Sequence, residues 1–203
     1  VSHDARLGRF DAEAVREHLA GLRAIAAAVE ELETEGLQPE IDRTGLLGEI
    51  RNSIFRLEHE QPHIRNPGFW LTHAFQGLYA ILARHDEAAG GRAPAALERL
   101  KSLPRFLDEG RATLREPPSV FIDSALGMLG GGGELVVQLV ATLGAEAPGL
   151  QGELQAAAGQ GLEALKRFGS ALRDEIEPAE DSQAFAIGEE QFSRRLHHEH
   201  ALV

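Results

Sequence analysis

S-V-F-I-D-S-A-L-G-M-L-G-G-G-G-E-L-V-V-Q-L-V-A-T-L-G, Ser119 to Gly144, governs the architecture of everything around it. Two aliphatic segments, Val120 to Leu129 and Leu135 to Leu143, flank four consecutive glycines, Gly130 to Gly133. A break at the glycines would give two short helices in a hairpin. Continuity would give one long helix. Four glycines cost a helix interior roughly 3–4 kcal/mol relative to alanine. Burying two or three large aliphatic side chains contributes as much or more, and the missing side chains let a neighbouring helix come close. The expected outcome is one helix through the glycines, bent there. A phosphate-cradling loop is rejected, because no strand precedes the run and no Lys-Ser/Thr follows it.

Outward from this stretch the apolar spacing is helical almost everywhere, and no alternating strand pattern appears. Asp11 is placed to cap a first helix carrying Val15, Leu19, Leu22, Ile25, Val29 and Leu32, with Gly36 as its C-terminal cap. A second helix starts near Pro39, carries Ile41, Leu46, Ile50, Ile54 and Leu57, and ends around His59 to Gln61. Asn66-Pro67-Gly68 opens a third, with Pro near its first position and Phe69, Trp70, Phe75, Leu78, Tyr79 and Leu82 as core members rather than a binding stack. Gly90-Gly91 reads as a hinge. Pro94 restarts a helix that Pro104 kinks or briefly breaks, and Pro117-Pro118 ends it. Helices from Ser119 to about Gly144 and from Pro148 to Ile176 follow. Pro178 to Ala184 is a loop, and a last helix begins near Ile187-Gly188, with Ile187, Phe192 and Leu196 packed inward. The fold class is therefore all-α, an irregular array of about seven helices, read as one domain over residues 1–203 with a weak internal loop near 178–186.

The 203 residues suit a globular protein, with 43% hydrophobic and 26% charged residues. Acidic residues outnumber basic ones by 32 to 20, giving a net charge of −12, which argues against nucleic acid or an anionic membrane as the main partner. Cysteine is absent, so disulfides, thiolate metal sites and cysteine nucleophiles are excluded. No run of eighteen apolar residues occurs, so no membrane span is expected. V-S-H-D-A-R at the start lacks the apolar segment of a signal peptide. Both chain ends suggest a piece of something longer.

H-E-Q-P-H, His59 to His63, carries the letters of a zinc-peptidase signature. That chemistry needs an unbroken helical turn to aim both imidazoles at one ion. Pro62 clashes with the Glu58 carbonyl and displaces Gln61 from the α region, so the turn should be broken. Glu60-x-x-His63 is the single copy of a di-iron half-motif and contains the same proline. His197, His198 and His200 cluster with Glu199 near the end, and an exposed polar helix face is the commoner reading of such a cluster. No G-x-S-x-G nucleophile elbow is present.

Three stretches together resemble a known family. They are R-N-P-G-F-W-L (Arg65 to Leu71), L-R-E-P-P-S-V-F-I-D-S-A-L (Leu114 to Leu126) and F-A-I-G-E-E-Q-F-S-R-R-L-H-H-E-H-A-L (Phe185 to Leu202). In order and spacing they resemble the N-terminal half of bacterial proteins known as domain of unknown function 885. The resemblance implies one long helix across the glycine run and a large helical protein of zinc-metallopeptidase type. The metal motif of such proteins, H-E-x-x-P-G-H-H, lies in the later half and does not occur here. No catalytic, cofactor or metal role is therefore assigned to any residue of this chain, and Glu199 and His200 are the candidates for facing a cleft. The chain by itself is not expected to be catalytic. Zinc and a catalytic C-terminal half are expected of the longer parent, a soluble bacterial protein with the cytoplasm slightly favoured. The competing reading is a non-catalytic helical interaction module.

Overall fold

A computed structural model describes residues 6–84 and 89–200, backbone only at 89–91 and 200. Among these residues the protein is all-α, with no strand. The helices are α1 (Ala12–Glu30), α2 (Leu37–Phe55), a single turn α3 (Pro62–Arg65), α4 (Pro67–Leu82), α5 (Ala89–Thr113), α6 (Ser119–Glu146), α7 (Gln151–Asp174) and α8 (Gly188–His200). A π-helical turn, Arg56–Glu60, extends α2, and a 3-10 turn, Pro148–Leu150, leads into α7. The described chain falls into two compact units. One contains His63–Ser182 with the segment that ends at Arg9, the other Phe10–Pro62 with the segment that begins at Gln183.

The first unit is a ring of four helices in which α4 meets α5 and α6, and α7 closes the ring against both. Trp70, Leu71 and Leu78 of α4, Leu100, Leu103 and Phe106 of α5, Leu139 and Leu143 of α6, and Leu154 and Phe168 of α7 are almost wholly buried. The Trp70 ring fits a notch at Gly110, where a Cβ would lie 2.7 Å from Cδ2. Its Nε1 donates to the His63 carbonyl at 2.9 Å, and Phe106 packs 5.1 Å away, centroid to centroid.

α6 runs unbroken through Gly130–Gly133, none of which has positive φ. Phe75 of α4 lies against Gly132 so closely that a Cβ there would overlap its ring. The close approach anticipated for a glycine run therefore occurs, at one glycine of the four. An 18-residue window of α6 reaches a mean hydropathy of 1.4, long and apolar enough to cross a membrane, with 22% of the window buried. Gly127, Gly130–Gly133, Glu134 and Gln138 interrupt the apolar run within α6.

Several local expectations are also corrected. Gly36 (φ 97°) begins α2, whereas α1 ends at Glu30. Gly90-Gly91 lies inside the first turn of α5, and α5 continues through Pro94 and Pro104 without interruption. Each proline removes one helical hydrogen bond, and the buried side chains between and after them, Leu97, Leu100, Leu103 and Phe106, offset that loss. Tyr79 is 61% exposed and is not a core residue.

His63 is buried in the first unit, with its ring edge-on to Phe69. Burial pushes its imidazole below the usual range. The unfolded chain takes up the proton near pH 6.5 and the folded chain only at lower pH. This histidine thus contributes stability that is complete above the unfolded value and lost as pH falls through the folded one. The urea midpoint of the protein should drop between pH 7 and pH 5, and His63→Gln should flatten that slope. An unchanged slope in the variant would assign the pH dependence to other groups.

Candidate functional site

The second unit brings the chemistry-bearing side chains of the chain's two ends together. α1 packs on α2 through Val29, Leu47 and Ile50, with Leu22, Ala26 and Ile54 around them. The Asp11 carboxylate caps α1, accepting from the Glu13 and Ala14 N–H groups at 3.1 and 3.0 Å. α8 also packs on α2, at Gly48, Asn52 and Phe55. Gly48 lets it come close, since a Cβ there would meet the His198 carbonyl oxygen at 2.8 Å. A backbone atom cannot swing aside as a side chain can. Gly48→Ala should therefore push α8 away and raise amide exchange along 188–200 about tenfold or more. Gly45→Ala, where nothing lies within 4 Å, should leave those rates unchanged. Equal rates in both variants would refute the notch.

The α2–α8 contact is polar at its centre. The buried Asn52 donates through Nδ2 to Glu199 Oε1 at 3.1 Å. Arg195 Nε donates to the same oxygen at 3.2 Å, and its Nη1 reaches Glu60 Oε1 at 3.4 Å. The Glu199 hydrogen bond is the largest influence holding the Arg195 guanidinium above its usual pKa. Glu199 is thus clamped between two helices. The His200 side chain lies outside the described residues.

Next to this clamp is a cavity of about 590 Å³, lined by Arg51, Ile54, Phe55, Glu58 and His59 on one side and by Ser193, Arg194, His197 and His198 of α8 on the other. Phe55 forms its aromatic floor, with the His59 and His198 rings 5.1 and 6.2 Å away. The π turn after Phe55 brings both Glu58 and His59 to the rim, a local widening often found at functional sites. Burial first, then the charges of His197, Arg51 and Arg194, hold the His198 imidazole below its usual range.

Of the residues singled out in the sequence, the structure gathers His59, His197 and His198 and separates His63 from the motif. Gln61, with φ 47°, breaks the helix between His59 and His63. Among the described residues no three His, Asp or Glu side chains converge as a metal site. Phe192 is 53% exposed and does not pack inward as expected, while Ile187 and Leu196 are half-buried. Arg51, Asn52, Phe55 and Arg195 were missed. Asn52 and Arg195 look like ordinary helix-surface residues until α2 and α8 are brought together.

Residues 1–202 match the family described as bacterial protein of unknown function (DUF885). A solved structure of a candidate lipoprotein of unknown function from Shewanella oneidensis is similar to this chain, with a TM-score of 0.78 at 16% identity. That likeness concerns the fold and covers 96% of this chain but 37% of the Shewanella chain, so the present chain spans little over a third of that protein's length. No curated protein matches the chain.

Proposed function

The chain belongs to the DUF885 family of bacterial proteins, and from that premise we propose that it is the helical, cleft-forming portion of a zinc-dependent peptidase-like hydrolase. The match over residues 1–202, set beside a similar structure of which it covers 37%, supports a helical portion of a longer DUF885 protein, and the hydrolase chemistry is what the family resemblance implies. In it, the metal-bearing residues come from sequence outside these 203, and the second unit lends a wall to the cleft. Glu199, held by Asn52 and Arg195, stiffens that wall. The setting is a bacterial cell. We favour the cytoplasm, and recovery of the full-length protein in a membrane fraction would oppose that.

The test compares the 203-residue chain with the same chain extended by whatever its gene encodes downstream. The extended protein should hold stoichiometric zinc and show chelator-sensitive peptide hydrolysis, and the chain alone should show neither. Zinc and activity in the chain alone, or their absence from an extended protein, would overturn the proposal. A second reading, a non-catalytic interaction module, is favoured by the second unit's exposed Ile25, Leu32, Leu37, Ile41 and Leu46. It predicts that the extended protein captures a protein partner without hydrolysing peptides.

A further inference from the structure

We infer that the cavity between α2 and α8 binds a carboxylate attached to an apolar or aromatic body, such as the C-terminus of a short peptide. This does not depend on the hydrolase reading, because it rests on the second unit alone. Its volume of about 590 Å³ falls within the range of small-ligand sites, and its apolar floor of Ile54 and Phe55 is ringed by polar and ionisable side chains. In a chain with 32 acidic and 20 basic residues, this rim has the opposite balance. Two guanidiniums and three imidazoles face one carboxylate.

The charges already present leave room for an incoming anion. Glu58 is neutralised by Arg23. Arg51 pairs with Glu30 at 2.7 Å and Arg194 with Glu190 at 3.5 Å, both with about half of the guanidinium side chain exposed. Exposed pairs of this kind contribute little, so a ligand carboxylate competes for either fork, which suits it in a bidentate geometry. Phe55 and Ile54 supply the surface for the apolar body, with the His59 and His198 rings beside the phenyl. His59, His197 and His198 face Arg51, Arg194 and Glu58, and the outer charges are Arg23, Glu30 and Glu190. Burial and the neighbouring charges hold the His198 imidazole below its usual range, and a bound anion beside it favours its protonated form, so binding strengthens as pH falls from 8 to 6.

The test uses N-acetylphenylalanine, its neutral amide, 3-phenylpropionate and acetate, titrated by calorimetry and amide NMR into the full chain at pH 6 and pH 8. N-acetylphenylalanine should bind about tenfold more tightly than its amide or acetate, shift the amides of residues 51–59 and 193–198, and bind more tightly at pH 6. Equal binding of 3-phenylpropionate identifies the shared carboxylate-and-ring chemistry as the ligand, and weaker binding points to a peptide C-terminus. Arg194→Gln, at the exposed edge of α8, should weaken the acid about tenfold and leave the amide unchanged. Arg51→Gln, checked for retained helicity, should do likewise. Indifference to the carboxylate, shifts confined to other residues, or full-strength binding by both variants would overturn the site.

Discussion

Trp70→Ala should destabilise the four-helix unit by about 3–5 kcal/mol, the usual cost of removing a buried indole. That is a large share of the roughly 5–15 kcal/mol that holds a protein folded. Trp70 is wholly buried, joins α4 to α5 through Phe106 and the Gly110 notch, and gives the His63 carbonyl its indole donor. Because it is the only tryptophan, urea unfolding must be followed by far-UV circular dichroism. A loss below about 1 kcal/mol would remove Trp70 from the centre of the unit. Gly110→Ala should also destabilise, by about 1–3 kcal/mol, because the new methyl meets a rigid ring. Combined with Trp70→Phe it should cost less than the sum of the two single changes, as expected of residues in direct contact.

Neighbouring glycines of α6 should respond to alanine with opposite signs. At Gly131 nothing lies within 4 Å of a new Cβ and φ is negative, so Gly131→Ala should stabilise by about 0.5–1 kcal/mol. At Gly132 the new methyl would occupy the space of the Phe75 ring. The ring must leave its seat, and Gly132→Ala should destabilise by about 2 kcal/mol after the gain in helix propensity is deducted. Adding Phe75→Leu should restore part of the loss. Thermal unfolding of the two single variants checks the signs. A stabilising Gly132→Ala would show that α4 does not rest on α6 at that point.

The site was legible only in fragments. Pro62 alone foretold that His59 and His63 would not share a helical turn, because the proline ring constrains the residue before it, and Gln61 adopts the left-handed region there. That His59 would instead meet His197 and His198 around Phe55 could not be read from spacing, since they lie on helices from opposite ends of the chain. Glu199 was singled out, but its partners Asn52 and Arg195 were not. A polar residue in a helix gives no sign of burial until a second helix covers it.

Local chemistry determined the all-α class, the Asp11 cap, the Pro67 start of α4, the ends at Pro117-Pro118 and the order of the seven longer helices. These follow from the period of apolar residues and from backbone constraints that act within a few positions, so the sequence contains them. Tertiary structure decided the rest. The Gly36 region showed that a break was due but not which helix the glycine would serve. Pro94 and Pro104 marked breaks that α5 does not make. Ile25, Tyr79 and Phe192 read as core and are more than half exposed. In each case the outcome depends on how much apolar surface a partner helix covers, and that energy, several kcal/mol per well-buried pair of side chains, exceeds the local preferences legible along one strand of sequence.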